Sequence, residues 1–358
     1  ALAQHQFNQL EADNVKYMTE AQLTSMTSGW YFHRMSADAR AALSEEQVQL
    51  LDVTRIHIAY LSTDQRDFLT TAQVQSLSQG SLRYLSAERI VDVTPEQLAS
   101  LTSGWYFHVI SATARAAMTE EQIQALDTSK INLAYLTTDQ RDYLTVSQVQ
   151  ALSISQLRYV PATKAEHILP SQLAAITSGW YFHVMPAATR AALDAAQIQA
   201  LDTSKVNIAY LTSGQREQLL PSQIGSLSHS TLRYVPASHA ANITPDQLSS
   251  ITHAGYFYNI ASATRALFDA DQVQALDTSK INIAYLTSTQ REDLTPSQVG
   301  DLSATTLRYV PASQVEHVTT TQLASVTNAG HIRNISSAAR AEFDADQINA
   351  ISDAVWPG

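Results

Sequence analysis

The chain contains no cysteine in 358 residues, and only five lysines. The lack of cysteine excludes disulfides, thiolate metal sites, iron–sulfur clusters and a cysteine nucleophile, and it fits an exported repeat protein. The scarcity of lysine contributes to a formal net charge of -11. A chain with no basic stripe cannot neutralise a row of phosphates, so we expect no nucleic-acid partner.

Long apolar runs and catalytic motifs are missing as well. No stretch of about 18 apolar residues occurs, so we expect no membrane insertion. The sequence has no glycine-rich phosphate loop, no Gly-x-Ser-x-Gly, no His-Glu-x-x-His and no distinctive pair of carboxylates. We therefore predict that the protein is not an enzyme and has no catalytic residue, cofactor or metal site.

The most abundant feature of the chain is repetition. The heptapeptide Thr-Ser-Gly-Trp-Tyr-Phe-His occurs at 27–33, 102–108 and 177–183, and altered copies stand at 252–258 and 327–333. The interval between successive copies is constant, and this fixed period predicts one elongated solenoid over the whole chain, 1–358. It comprises four full periods, two partial coils and a C-terminal stub, at 26–100, 101–175, 176–250, 251–325, 1–25, 326–350 and 351–358.

Each period divides into nine segments that begin with an apolar residue and are mostly eight residues long. The commonest octad is apolar, Thr or Ser, two variable residues, Gln, apolar, as at 144–149. A threonine followed three residues later by glutamine is a capping box, which begins a helix. A helix of one or two turns is not stable alone, so we expect each octad to be held by its neighbours.

Three octads form a coil of about 25 residues. The first octad of each coil is rich in β-branched and aromatic residues, which favours a strand. We therefore predict an α/β repeat solenoid whose coils each contain a short strand and two short capped helices. Phe182, Ile208 and Leu232 would form an inward column, with His183, Ala209 and Arg233 pointing away. The alternative is an all-α solenoid of short helices, in which the first octad is a third helix or an extended linker.

The aromatic residues of the heptapeptide form a candidate interaction edge. Tryptophan and tyrosine are enriched at interfaces, and the three full copies place them side by side. Core packing around a tight glycine turn is the alternative explanation of the same residues. The candidate edge comprises Trp30, Tyr31, Trp105, Tyr106, Trp180 and Tyr181.

Three sets of polar residues also recur with the period. The histidines are too far apart to share a metal ion, and the arginines are expected to form a solvated charged row. The asparagines are expected to bond the backbone of neighbouring coils. These sets are His33, His108 and His183; Arg40, Arg115, Arg190, Arg265 and Arg340; and Asn132, Asn207 and Asn282.

The reiterated Leu-Thr-x-x-Gln pattern, as at 136–140 and 144–148, resembles the tracts of very large proteobacterial surface and adhesin-like repeat proteins. Periplasmic stress chaperones share this motif but not the fixed period of this chain, so their function is not carried over. The resemblance implies a structural repeat protein located outside the cell or on its surface, and it transfers no functional residue.

These features together predict a non-enzymatic structural repeat protein of a bacterial cell-surface or extracellular assembly. Uniform repeats, with no change of pattern at Leu2, favour self-association by end-on stacking into a filament. The alternative is an adhesin-like binding module that uses its aromatic edge for a glycan or a surface protein.

Overall fold

The structure, a computed structural model, describes residues 4–26 and 28–351. These residues form short α-helices and 3-10 helices joined by turns, and none of them lies in a β-strand. Residues 352–358 of the predicted stub, and residue 27 of the first heptapeptide, lie outside the described part of the chain.

The helices follow one another with only a few residues between them. The α-helices span Ala12–Val15, Glu20–Thr24, Gly29–Arg34, Ala37–Ala41, Glu45–Gln49, Thr63–Asp67, Thr71–Gln75, Pro95–Ala99, Gly104–His108, Ala112–Ala116, Glu120–Gln124, Thr138–Asp142, Val146–Gln150, Pro170–Ala174, Gly179–His183, Ala187–Ala191, Ala195–Gln199, Ser213–Arg216, Pro221–Gly225, Pro245–Ser249, Ala254–Tyr258, Ser262–Arg265, Ala270–Gln274, Ser288–Glu292, Pro296–Gly300, Thr320–Ala324, Ala329–Arg333, Ser337–Ala341 and Ala345–Ala350. The 3-10 helices span Gln4–Gln9, Ile58–Tyr60, Gln79–Tyr84, Ile90–Asp92, Leu133–Tyr135, Ile154–Tyr159, Ala162–His167, Ile208–Tyr210, His229–Tyr234, Ala237–Asn242, Ile283–Tyr285, Leu307–Tyr309 and Ala312–His317.

Contacts divide the chain into two compact units. The first unit comprises Ala1–Gln172 and Val184–Ala192, and the second comprises Leu173–His183 and Leu193–Gly358. Each unit has its own apolar core. The fully buried phenylalanines are Phe7, Phe32 and Phe107 in the first unit and Phe182 and Phe257 in the second.

Capping boxes begin many of the α-helices, as the sequence predicts. Before helix Val146–Gln150, Thr145 Oγ1 accepts a hydrogen bond from the backbone N–H of Gln148 at 3.2 Å. In return, Gln148 Oε1 accepts from the backbone N–H of Thr145 at 2.9 Å. The two bonds satisfy donors that the start of a helix leaves unpaired.

The glutamine of the capping box also joins its coil to an earlier one. Gln148 Nε2 donates to the carbonyl oxygens of Ile123, at 2.9 Å, and Leu126, at 2.8 Å. Ile123 belongs to the last turn of helix Glu120–Gln124, where carbonyls lack partners within the helix. One side chain therefore caps the start of its own helix and the end of a helix in the earlier coil.

We call the residues that make both contacts bridging glutamines. Each accepts from the backbone at the start of its own octad, and its Nε2 donates to carbonyl oxygens 20 to 32 residues earlier. All of them except Gln97 and Gln172 are buried. The first unit contains Gln47, Gln65, Gln73, Gln97, Gln122, Gln140, Gln148 and Gln172, and the second contains Gln215, Gln223, Gln247, Gln272, Gln290, Gln298, Gln322 and Gln347.

The number of residues between donor and acceptor is not constant. It is 25 and 22 for Gln148, and 23 and 20 for Gln97. Gln122 instead donates to Ile90 and Val93, which lie 32 and 29 residues earlier. The step between donor and acceptor therefore differs from coil to coil within a period, so the sequence repeats after three coils rather than after one. The same long step recurs at Gln47, Gln272 and Gln347.

The predicted α/β fold class is wrong. The segments expected to be strands are the helices Gly179–His183, Ile208–Tyr210 and His229–Tyr234. Local caps favour the helical backbone there despite the β-branched and aromatic residues, as where Asn207 Oδ1 accepts from the N–H of Ala209 at 2.9 Å. The all-α alternative, with a third short helix in the first octad, describes the observed helical repeat. The single solenoid over 1–358 stays a prediction.

Burial confirms the predicted inward residues of these helices, and two of the three predicted outward residues are exposed. The side chains of Phe182, Ile208 and Leu232 are 0% exposed. Of the three neighbours expected to point away, His183 and Arg233 are exposed, whereas Ala209 is partly buried. The apolar residue of each first octad therefore contributes to the core although the octad is helical.

Two predictions about recurring polar residues are wrong. Arg115 is only 9% exposed and does not belong to a solvated row. Its guanidinium donates from Nη1 to the His108 carbonyl at 2.9 Å and from Nε to the Tyr135 carbonyl at 3.2 Å. Asn132 does not bond a neighbouring coil through its side chain, because its Oδ1 accepts from the N–H of Ala134, two residues on, at 2.9 Å.

Candidate binding edge

The helices that carry the tryptophans position the candidate interaction edge. They span Gly29–Arg34, Gly104–His108 and Gly179–His183. Each follows a serine cap, as where Ser103 Oγ accepts from the backbone N–H of Trp105 at 3.2 Å. These short helices fix the tryptophan two residues before a fully buried phenylalanine, so the indole lies toward the surface while the phenylalanine lies in the core.

The glycine before each tryptophan allows a close approach between coils. A Cβ atom on Gly29 would lie 2.0 Å from the Arg55 carbonyl oxygen, and one on Gly104 would lie 2.1 Å from that of Lys130. Any other residue would force these backbones apart, because packed interiors have little space to yield. The sequence suggested a tight turn for this glycine. The structure shows that the approach of the following coil requires it.

The tryptophans are half exposed and each contacts the next tyrosine. Their exposed fractions are 55%, 52% and 51% in chain order. The tyrosines are partly buried, and the two rings meet edge to face with centroids 5.2 to 5.3 Å apart, an arrangement that aromatic pairs favour. The structure therefore places these indoles at the surface and not in the core. The pairs are Trp30 with Tyr31, Trp105 with Tyr106, and Trp180 with Tyr181.

A second tyrosine, from the following coil, extends the edge in each period. In the three periods with a full heptapeptide it packs against the histidine with ring centroids 4.2 to 4.6 Å apart, and it is 37% to 40% exposed. These tyrosines were not predicted to belong to the edge, although they also recur once in every period. The pairs are His33 with Tyr60, His108 with Tyr135, and His183 with Tyr210.

His108 acts as a neutral hydrogen-bond acceptor between coils. Its Nε2 accepts from the backbone N–H of Asn132 at 3.2 Å. Burial lowers the pKa of His108, and the nearby positive charge of Arg115 lowers it further. The Arg115 guanidinium also lies 4.8 Å from the centroid of the Tyr135 ring, a favourable cation–π distance. The histidine thus helps to hold the aromatic edge together.

The edge of the first period contains an open cleft of about 340 Å³. Beside it, the Arg34 guanidinium lies 5.0 Å from the centroid of the Trp30 ring. Arg55, on the cleft wall, forms an ion pair with Asp52 at 3.1 Å between Nε and Oδ2. The cleft therefore combines aromatic surface with positive charge. It is lined by Ser28, Gly29, Trp30, His33, Arg55, His57 and Tyr60.

A second kind of cleft, lined mainly by hydroxyl groups, occurs at equivalent places in two periods. Each has a volume of about 260 Å³. In one of them Lys205 Nζ lies 2.7 Å from Asp202 Oδ2. The hydrogen bond from Lys205, with a further bond from Ser204, lowers the pKa of Asp202 to about 2. The lining residues include Thr54, Arg55, Ser78 and Ser81 in one period and Ser204, Lys205, Ser228 and Thr231 in the other.

Comparisons with known proteins do not assign this chain to a family. No protein-family model matches it, and no curated protein has a similar sequence. In the part of the chain that the structure describes, the helices are all too short or too polar to cross a bilayer. The function is therefore argued from the repeated edge itself.

Proposed function

We propose that this chain is a non-enzymatic structural repeat protein of a bacterial cell-surface or extracellular assembly, and that it associates with further copies of itself through the aromatic edge. One observation carries the proposal: a half-exposed tryptophan recurs in the same setting at Trp30, Trp105 and Trp180. Exposed aromatic residues are enriched at the centres of protein interfaces. The location outside the cell is supported by the lack of cysteine and by the Leu-Thr-x-x-Gln resemblance.

Within the first unit Trp30 and Trp105 recur with the sequence period, and a second copy of the chain is a partner that carries the same repeat. Repeated residues on one chain can all contact repeated residues on another only if both surfaces have the same repeat spacing. Several weak contacts made in register bind far more tightly than one of them alone. This argument favours self-association over a partner that has no repeat.

The bridging glutamines support such a structural role. Within each unit they fix one coil against another through buried amide hydrogen bonds, as between Gln148 and the carbonyls of Ile123 and Leu126. Fully satisfied buried polar networks rigidify a core. Rigid coils keep equivalent surface residues of each unit in the same local environment, and repeated contacts require this.

Sedimentation velocity over a range of protein concentrations tests the proposal. We expect the mass of the wild type to rise with concentration, and a triple variant with serine at Trp30, Trp105 and Trp180 to stay monomeric. The matched control replaces three exposed apolar residues outside the edge by serine and should associate as the wild type does. These residues are Val91, Val146 and Leu267.

Two outcomes of this experiment contradict self-association through the edge. In one, the wild type is monomeric at every concentration. In the other, the tryptophan variant, shown by circular dichroism to be folded, associates as strongly as the wild type. Electron microscopy of the wild type then distinguishes lateral association from filaments built by end-on stacking, which the uniform repeats predict.

The second candidate function is an adhesin-like module that binds a glycan. The cleft beside Trp30 favours it, because its volume of about 340 Å³ falls within the range of small-ligand sites, roughly 300–1,000 Å³. Titration calorimetry with a panel of oligosaccharides tests this candidate. Saturable heat that is lost in Trp30→Ala supports it, and the absence of heat with every sugar removes it.

A further inference from the structure

The cleft of the first period has guanidinium groups at two positions where the second period has none. Arg34 stands at the position that Val109 occupies one period later, and Arg55 stands at that of Lys130. Both arginines are close to the aromatic surface, since Arg34 lies over the Trp30 ring and Arg55 lines the cleft. At these two positions the first period therefore has two guanidinium groups where the second has one ammonium group, although in the second period the Arg83 guanidinium also lies 5.8 Å from the centroid of the Trp105 ring.

The walls of this cleft suit a ligand that has apolar faces and a polar rim. Trp30 is 55% exposed and Tyr60 is 37% exposed, and the His33 ring lies 4.3 Å from that of Tyr60. Aromatic side chains combine a large apolar face with a polar tip. A pyranose ring has the complementary form, with C–H groups on its face and hydroxyl groups around its edge.

The charged groups indicate that this ligand is an acid. The Arg55 side chain is half exposed and binds Asp52 through Nε, and a guanidinium has five N–H donors, so others can bind a ligand. The planar fork of arginine matches a carboxylate better than lysine does. Because the chain as a whole carries a net charge of -11, its overall field repels anions and an acidic ligand needs a local basic site.

We propose that the first-period cleft binds a carboxylate-bearing sugar unit of an acidic polysaccharide. The sugar ring lies against Trp30 and Tyr60, and its carboxylate lies toward Arg34 and Arg55. This inference rests on the second candidate function, glycan binding, and it shares Trp30 with the self-association edge. Sedimentation without any sugar measures self-association alone, so the failure of one proposal is distinguished from the failure of the other.

Calorimetric titration with two matched ligands tests the inference. The first is oligogalacturonate, which has a carboxylate on each ring, and the second is its methyl ester, which has the same rings without charge. We expect the acid to bind the wild type at least roughly tenfold more tightly than the ester, and its affinity to fall as salt is added. In Trp30→Ala both ligands should lose affinity, because the aromatic surface is gone.

Two further variants separate charge from position. Arg34→Val introduces the side chain found at Val109, and it should weaken binding of the acid without changing that of the ester. Trp105→Ala removes an equally exposed indole from the second period and should leave both affinities unchanged. Circular dichroism confirms that each variant is folded.

Each outcome decides between clear alternatives. Equal affinity for acid and ester overturns the acidic specificity while leaving glycan binding in place. Saturable binding of neither ligand overturns both, and a loss in Trp105→Ala as large as that in Trp30→Ala overturns the assignment to the first cleft. Preference for the acid that disappears in Arg34→Val supports the inference.

Discussion

Replacing one bridging glutamine by glutamate tests the contact that joins the coils. In Gln148→Glu the side chain keeps its length and can still accept from the backbone N–H of Thr145. It can no longer donate two hydrogen bonds to the carbonyls of Ile123 and Leu126, which lie 2.9 and 2.8 Å from Nε2 in the wild type. The variant therefore keeps the capping bond and loses the bridge.

The size of the effect follows from the burial of Gln148, which is 7% exposed. Without the bridge the Leu126 carbonyl loses its donor, whereas the Ile123 carbonyl keeps the backbone N–H of Leu126 at 3.2 Å. Leaving one buried acceptor without a donor costs about 1–3 kcal/mol at neutral pH. A carboxylate facing two carbonyl oxygens away from water adds to this cost. We expect Gln148→Glu to lower the free energy of unfolding by an amount in this range.

The loss of stability in Gln148→Glu should also depend on pH, and the direction of this dependence can be stated. Burial and the two carbonyls raise the pKa of the introduced carboxyl group in the folded state, whereas the unfolded chain keeps a pKa of about 4.3. The folded variant then binds a proton that the unfolded chain has released. The difference in unfolding free energy between the wild type and the variant is therefore smallest in acid, and it grows as the pH rises above about 4.3.

Hydrogen exchange measured by mass spectrometry, together with urea unfolding, provides the assay. Repeat proteins can unfold in parts, so exchange in the coils around 119–152 reports the local loss. The control is Gln150→Glu, which places the same charge on the same helix at an exposed position and should cost less than about 1 kcal/mol. If the two variants were equally stable, or if the deficit of Gln148→Glu did not change with pH, the bridging role would be refuted.

Three other predictions follow from single contacts. Gly104→Ala should destabilise the protein by at least about 1–3 kcal/mol, because its Cβ would lie 2.1 Å from a carbonyl oxygen. Gly214 has open space around it, so Gly214→Ala should stabilise its helix by about 0.5–1 kcal/mol. Urea unfolding compares the two variants. Because the pKa of His108 is lowered, its contribution to stability should be present above about pH 6.5 and should be lost as the pH falls below that value. The stability of His108→Gln should not show this decrease. Asp202, with a pKa of about 2, should contribute stability above about pH 3.8 that is lost toward pH 2, and Asp202→Asn should lack it.

The results that contradict these predictions are distinct. Equal stability of the two alanine variants would mean that the coils can separate at Gly104 without cost. An unchanged pH profile in His108→Gln would show that the bond from Asn132 does not depend on a neutral imidazole. If the wild type and Asp202→Asn lost stability equally in acid, as measured by thermal unfolding, the contribution assigned to the Lys205 ion pair would be contradicted.

The helix starts could be predicted from sequence because each capping box is local. Thr145 and Gln148 are three residues apart, and the backbone bonds they make depend only on that spacing. The bridge from Gln148 to Ile123 depends on a partner 25 residues away, which no local pattern reveals. A signal was nevertheless present, since at Leu169 and Leu220 the cap hydroxyl is missing and the glutamine three residues later is kept.

The strand prediction failed because β propensity was given more weight than capping. Residues such as Ile208 and Tyr210 favour strands, but the preceding Asn207 caps a 3-10 helix. In so short a segment the cap determines the helical conformation. The candidate edge was found only in part for a similar reason. Trp30 stands out in the sequence, whereas Tyr60 joins the edge from the following coil through a ring contact with His33.

The uneven step of the bridging glutamines determines how this chain can change its length. Gln122 needs carbonyls 32 and 29 residues before it, whereas Gln148 needs them 25 and 22 residues before it. Deleting one coil would leave the glutamines that bridge across the new junction with acceptors at the wrong step, whereas deleting or duplicating one whole period would keep every pair. Recombination between the identical heptapeptides at 102–108 and 177–183 makes such a change, so relatives of this chain should differ in length by whole periods.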